Sequence, residues 1–317
     1  MTNPDGVSSI YSALCARMGV SSIPCGMTAE LPSLTTGIHD VPDQTQEALE
    51  SLADCDTVIV CVGENGSDTG EAASKVDPRM SPNQEKLIRC LKEAGKTVIA
   101  VVLSGRPLIL TDVLPYCDAV VQAWYLGTEM AKCVADVLFG DVNPSARVAL
   151  TFPRALGQCP IYYNHYRTGR PLSGPDGPDD PEFYKSRYLD CPNEPLFPFG
   201  FGLSYSEFTY SPVTVTGGDE IRAQVTVKNV SSRAGKETVQ LYVNDVVGSV
   251  VRPVMELKGF EQIELQPGEE KTVSFTVTKE ALSFPDEELN VVFEPGEFDV
   301  MIGPDSAHIE TVRVTVE

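Results

Sequence analysis

Val58-Ile59-Val60-Cys61-Val62 is an unbroken apolar run, almost wholly β-branched. A strand of this composition has no polar face to turn toward water, so both of its faces must be covered. Thr97–Leu103 repeats the pattern, and Asp118–Trp124 reads as another strand. Helical patterns separate them. Strand and helix in alternation predict an α/β fold with a mostly parallel sheet sandwiched by helices.

The intervening elements follow from their end signals. Gly6–Gly19 reads as a helix carrying Ile10, Leu14 and Met18, and Val20–Pro24 as a short strand. Ala29–Pro42 is loop-like. Asp43-Gln44-Thr45-Gln46 forms a capping-box pattern opening a helix that buries Ala48, Leu49, Leu52 and Ala53. Ser81-Pro82-Asn83-Gln84 is a second, with Pro82 at the first helical position. Its helix presents Leu87, Ile88 and Leu91 and stops at Gly95. Leu108–Leu114 reads as a short helix, Gly127 opens another through Leu138, and Val148–Phe152 reads as a last strand.

From Pro153 to about Tyr205 the chain turns rich in Pro, Gly, Tyr and Asp and loses periodicity; Ser173–Pro181 is a loop by composition. From Phe208 the period becomes two. Ile221, Ala223, Val225 and Val227 alternate with polar residues, as do Val239, Leu241 and Val243, and Val273, Phe275 and Val277. Thr238, Gln240 and Tyr242 are thereby assigned to an outward face. Turn signals at Pro267-Gly268 and Pro295-Gly296 complete the pattern of an immunoglobulin- or fibronectin-like β-sandwich. The expected organisation is an α/β domain over 1–165, an irregular connector over 166–207, and the β-sandwich over 208–317.

Charge and cysteine usage bound the function. The formal net charge of −21 argues against nucleic acid or an anionic membrane as partner. No stretch has the length of a membrane span, and Met1–Gly6 lacks the basic and apolar regions of a signal peptide. The nine cysteines show no paired CxxC spacing, so no zinc site and no cofactor is expected. Cys61, Cys90 and Cys133 fall in apolar segments and read as reduced core thiols, which favours a cytoplasmic location.

The loop that leaves Val62 holds Glu64, Asp68, Glu71, Lys75 and Asp77. Ligands of open α/β sheets bind beyond the carboxyl ends of the strands, which makes this loop the place to look for chemistry. Ser104-Gly105-Arg106-Pro107 lacks the spacing and the Lys of a phosphate loop and reads as a turn after a strand. His39 and His165 stand apart from one another and from any cysteine pair, so both read as structural or surface residues. Trp124 reads as core. Tyr162, Tyr163 and Tyr166, with Arg167 and Arg170, read as packing residues of the connector.

A set of motifs, in order, carries a family resemblance: EAASK at Glu71–Lys75, LSGRPL at Leu103–Leu108, AWYLG from Ala123 to Gly127, VLFGDVNP at Val137–Pro144, LTFPR at Leu150–Arg154 and PFGFGLSY at Pro198–Tyr205. GKETVQLYV at Gly235–Val243, ELKGF at Glu256–Phe260 and EPGEF at Glu294–Phe298 continue it. The chain resembles the C-terminal part of glycoside hydrolase family 3, the β-glucosidase and β-xylosidase group, with its fibronectin-like domain. The resemblance implies a retaining β-glycosidase acting on a β-linked glucoside or related sugar. In that family a preceding barrel supplies a nucleophilic aspartate and the α/β domain lends an acid/base glutamate. Glu71 falls on that position; the family follows it four residues later with Arg, where this chain has Lys75. Lys75 and Asp68 are the accompanying substrate-binding candidates. The barrel, its nucleophile and the first strand of the α/β domain are expected outside this sequence. The chain alone is therefore expected to be inactive, and the alternative reading is a non-catalytic scaffold or partner-binding module.

Overall fold

The computed structural model describes residues 8–25, 43–64, 68–171 and 184–317. The expected loops at Ala29–Pro42 and Ser173–Pro181, and His39, lie outside the described residues. Two units are present. One comprises residues 1–142 and 153–159, the other residues 143–152 and 160–317. The expected boundaries at 165 and 207 do not coincide with these units.

The first unit is built on three parallel strands, β1 (Thr57–Gly63), β2 (Thr97–Leu103) and β3 (Ala119–Gln122), in the order β1-β2-β3. Val101 packs with Ala123 against Ile10 and Leu14 of helix α1 (Ile10–Met18) and Ala131, Val134 and Ala135 of helix α4 (Met130–Leu138). Val58, Val60, Val62, Val98, Ala100 and Val102 have the opposite parity and are buried too. Helix α2 (Thr45–Ser51) packs on α3 (Pro82–Glu93), and α3 on β1 and β2. Only β2 meets the expectation of burial on both faces; β1 buries Val58, Val60 and Val62 but leaves Thr57 and Cys61 exposed, and β3 is at most half-buried, because both are outer strands of the sheet among the described residues.

Several local expectations change. Val20–Pro24 forms no strand, and Leu108–Leu114 is not a helix but extended chain and a turn leading to a single 3₁₀ turn, Leu114–Tyr116. Met18 and Ala53 are exposed, since α1 and α2 turn those positions outward in or beyond their last turns. Cys61 and Cys133 are exposed and Cys90 is half-buried, so these three are not core thiols; Cys15 is the buried one. Cys15, Cys55, Cys61, Cys90, Cys117, Cys133, Cys159 and Cys191 are free thiols. Neither capping box closes as expected. Thr45 N donates to Asp43 Oδ1 one residue before the cap, and Ser81 makes no side-chain cap. Gln84 instead clasps Gly63 at the end of β1, accepting from its N at 3.2 Å and donating to its carbonyl at 3.1 Å.

The second unit is all-β. One sheet runs β13 (Glu310–Val316), β12 (Gly296–Gly303), β7 (Gly235–Asp245), β8 (Glu256–Leu265). The other runs β4 (Phe208–Tyr210), β6 (Ile221–Asn229), β5 (Thr214–Thr216), with β9 (Glu270–Val277) also paired to β6. All pairings are antiparallel. The core between them holds Ile221, Ala223, Val225, Val239, Leu241, Val243, Val273, Phe298 and Val300. A short helix α5 (Lys279–Leu282) and a hairpin of β10 (Phe284–Pro285) and β11 (Val291–Val292) complete it.

Strand β7 departs from simple alternation. Thr238, Gln240 and Tyr242 are buried along with the inward set. The reason is the segment that lacked periodicity in the sequence. Tyr163 stacks on Phe199 at 4.2 Å and meets Tyr242 edge-on at 5.8 Å, and Gln240 donates to the carbonyls of Gly200 and Pro304. Gly200 holds φ 82°, which favours glycine, and a Cβ there would stand 2.1 Å from Gln240 Oε1 and displace that amide. Residues 148–152 are likewise not a strand of the parallel sheet. Val148 N and Phe152 N donate to Phe201 O and Phe197 O, each at 2.9 Å, which lays this arm beside the connector. Arg147, on the same arm, forms a buried ion pair with Glu237 at 2.7 Å, and Tyr210 donates to the other Glu237 oxygen at 2.8 Å. Burial pushes the Glu237 carboxyl above its ordinary value, and Arg147 and Tyr210 only partly offset this. Asn143 ties the VNP and LSY motifs together by donating to Ser206 Oγ and Ala234 O and accepting from Ser204 Oγ and Tyr205 N.

Candidate active site

The carboxyl ends of β1 and β2 release two loops side by side, as the carboxyl ends of adjacent parallel strands do. Gly63 ends β1 with φ 124°, and a Cβ there would lie 2.0 Å from Leu103 O. Only glycine permits this close approach, and Glu64 N then donates to Leu103 O at 2.7 Å. The turn directs the Glu64 side chain inward, where it is 1% exposed. Arg106 Nε lies 3.1 Å and Lys75 Nζ 3.7 Å from Glu64 Oε1, and Gly105 N donates to Oε2 at 3.2 Å. Two cations and a backbone amide thus offset the cost of burying the carboxylate.

Glu71 sits differently. Ala73 N donates to Gly70 O at 3.2 Å, closing a turn with Glu71 and Ala72 at its centre. Ala72 has φ 60° at the position where a turn of this kind takes glycine. Glu71 is exposed at this tip. Asp68, 7% exposed, is buried at the start of the segment. Lys75 Nζ also donates to Arg79 O at 3.1 Å. The structure therefore gathers Glu64, Asp68, Glu71 and Lys75 on one loop, with Glu64 facing in and Glu71 facing out.

The sequence pattern alone left out two participants. Arg106 donates from one terminal nitrogen to Asp68 O at 2.7 Å and to Ala73 O at 3.2 Å. Tyr125 donates to Glu64 O at 3.2 Å; burial first, then Glu64 and Asp68, push its phenol above the ordinary value. Trp124, half-buried at the carboxyl end of β3, holds φ 53°, an uncommon conformation for a bulky residue. Strand order could have found them, because segments after adjacent parallel strands face the same crevice. Among the described residues no group of His, Cys, Asp and Glu could hold a metal ion.

The connector aromatics lie elsewhere, on the all-β unit. Tyr163 packs as expected, but Tyr162 and Tyr166 are 59% and 61% exposed. Tyr162, Tyr163, His165, Arg167, Asn193 and Glu194 line a cleft of about 510 Å³ that contains none of the loop carboxylates. Arg167 reaches Asn244 Oδ1 at 3.3 Å.

Comparison with known proteins decides the family. Residues 2–205 match the Glycosyl hydrolase family 3 C-terminal domain. The chain belongs to glycoside hydrolase family 3. Residues 237–306 match the Fibronectin type III-like domain that follows it in the chain. A periplasmic beta-glucosidase of Salmonella typhimurium is 44% identical over 83% of this chain and 35% of its own length. A beta-xylosidase of Formosa agariphila is 34% identical over 86% of this chain and 37% of its own. The crystal structure of a beta-glucosidase from Listeria innocua in complex with isofagomine superposes with a TM-score of 0.87 at 36% identity, covering 98% of this chain and 42% of that one. The family 3 chain thus spans little more than a third of the length of the relatives it matches.

Proposed function

We propose that this family 3 chain is the part of a retaining β-glycosidase that supplies the acid/base loop, with a β-linked glucoside or related sugar as substrate. The observation that carries the reading is the placement of Glu71: an exposed carboxyl at the tip of a fixed turn, beyond the carboxyl end of a parallel strand, in a chain similar to beta-glucosidases. Glu71 protonates the leaving oxygen in the first step and deprotonates water in the second. The nucleophilic carboxylate belongs to a barrel domain outside this chain, in the same polypeptide or a separate one. Lys75 and Asp68 complete the proposal as substrate contacts. Lys75, with 18% of its side chain exposed, is the better placed of the two.

The test compares two glucosides sharing the same sugar, in the enzyme with its nucleophile domain present. Glu71→Ala lowers kcat/KM by about 10²–10⁴-fold for an alkyl glucoside and much less for an activated aryl glucoside, whose leaving group needs little protonation. Azide partly restores the second step, since a small anion attacks without general-base help. Equal losses on both substrates with no azide response remove Glu71 from the role.

A further inference from the structure

The Glu71 turn is fastened from both sides by one side chain. Arg106 Nη2 donates to Asp68 O at 2.7 Å and Ala73 O at 3.2 Å, carbonyls that flank Thr69, Gly70, Glu71 and Ala72. Its Nε faces Glu64 Oε1 at 3.1 Å, and Glu64 is itself anchored, its Oε2 receiving Gly105 N and its backbone joined to Leu103 O and to the Tyr125 hydroxyl. The two loops also pack closely at an independent point. A Cβ on Gly105 would meet Thr69 Oγ1 at 2.7 Å and the Tyr125 ring at 3.2 Å, so the 68–73 segment lies directly against the residue before Arg106.

We propose that Arg106 is a positioning residue: seated on the buried Glu64 carboxylate, its guanidinium holds both shoulders of the turn and so fixes where the Glu71 carboxyl is presented. The inference rests on the reading of Glu71 as acid/base. Arg106 touches neither sugar nor nucleophile in this account. The task needs a planar group whose charge lies against a carboxylate on one side while a terminal nitrogen donates to two carbonyls on another. Lysine, a point charge on a flexible stem, cannot span that set. Proton transfer demands hydrogen-bond reach to the leaving oxygen, so a turn released by about 1 Å loses rate without losing substrate binding.

Arg106→Lys and Arg106→Ala test this by hydrogen exchange on this chain and by kinetics with the nucleophile domain present. Exchange at residues 69–74 is expected to quicken while exchange in β2 stays slow, which shows the sheet intact. For the alkyl glucoside kcat is expected to fall about 100-fold with KM nearly unchanged, and the aryl glucoside to lose far less. Guanidinium ion restores part of the activity of Arg106→Ala and none to Glu71→Ala. Should the Arg106 variants fail to fold, Glu64→Gln, which keeps the shape and removes the charge under Arg106, is expected to give the same pattern more weakly. Unchanged exchange at 69–74 overturns the proposal. So do equal losses on both glucosides in the Arg106 variants while Glu71→Ala still discriminates between them. If Glu71→Ala itself loses equally on both, the acid/base reading fails first and the positioning role falls with it, whatever the exchange shows.

Discussion

At the scale of single residues, backbone conformation at the loop tip makes a checkable claim. Ala72 holds φ 60° between Glu71 and the Arg106-bound Ala73. An L-residue with a Cβ pays about 1–2 kcal/mol for that region, and Gly does not. Ala72→Gly is therefore expected to stabilise the α/β unit by up to about 1 kcal/mol in urea unfolding; a loss of stability would show that Ala72 is not strained. Asp43 makes a second claim. The Lys86 ammonium at 2.6 Å, with Thr45, holds its carboxyl down at about 2. A depressed acid contributes stability above its ordinary pKa and loses it as pH falls through the folded value. The Tm of the α/β unit should thus drop between about pH 4 and pH 2, and Asp43→Asn should make that acid limb shallower; an unchanged limb removes Asp43 from it. Residue-level chemistry was legible only where a residue's partner is near in sequence. Lys75 meets Glu64 within one loop, whereas Arg106 acts on carbonyls 38 and 33 positions away, a pairing created by strand adjacency.

At the scale of elements, β7 shows how a strand comes to be buried on both faces. Its inner residues join the sandwich core, and its outer ones are covered by Tyr163, Phe199 and Gly200. The buried Arg147–Glu237 pair pins residues 143–152 to the same strand. Removing one partner of such a pair strands a charge and costs about 3–5 kcal/mol, while replacing both with apolar residues is often neutral. Arg147→Met should destabilise the all-β unit by that amount, and Arg147→Met with Glu237→Leu should recover most of it. A fully additive double mutant in denaturant unfolding would rule the coupling out. The strands themselves were legible, because period-two alternation and β-branched runs are properties of contiguous residues. The cover on β7 was not. Nothing in the spacing of PFGFGLSY says which strand its aromatic rings meet, and Gln240 reads as an outward polar residue until the Gly200 and Pro304 carbonyls are placed beside it.

At the scale of the whole molecule, the proposal divides catalysis between this chain and a nucleophile domain outside it. One carboxylate acting as acid or base contributes about 10²–10⁴-fold, far short of a glycosidase. The purified chain is thus expected to release no chromophore from an aryl β-glucoside above background, and to do so once the nucleophile domain is supplied. Robust turnover by the chain alone, abolished by Glu71→Gln, would place a second catalytic carboxylate within it. The path of the chain bears on how such a protein can change over generations. Residues 143–152 belong to the all-β unit, residues 153–159 return to the α/β unit, and the chain then leaves again. A gene joined at position 142 would strip the α/β unit of the Arg154 carbonyl that receives Thr111, and one joined at 159 would strip the sandwich of Arg147. No single recombination point between 143 and 159 leaves both units whole, so exchange among relatives is expected to carry the two as one inherited block.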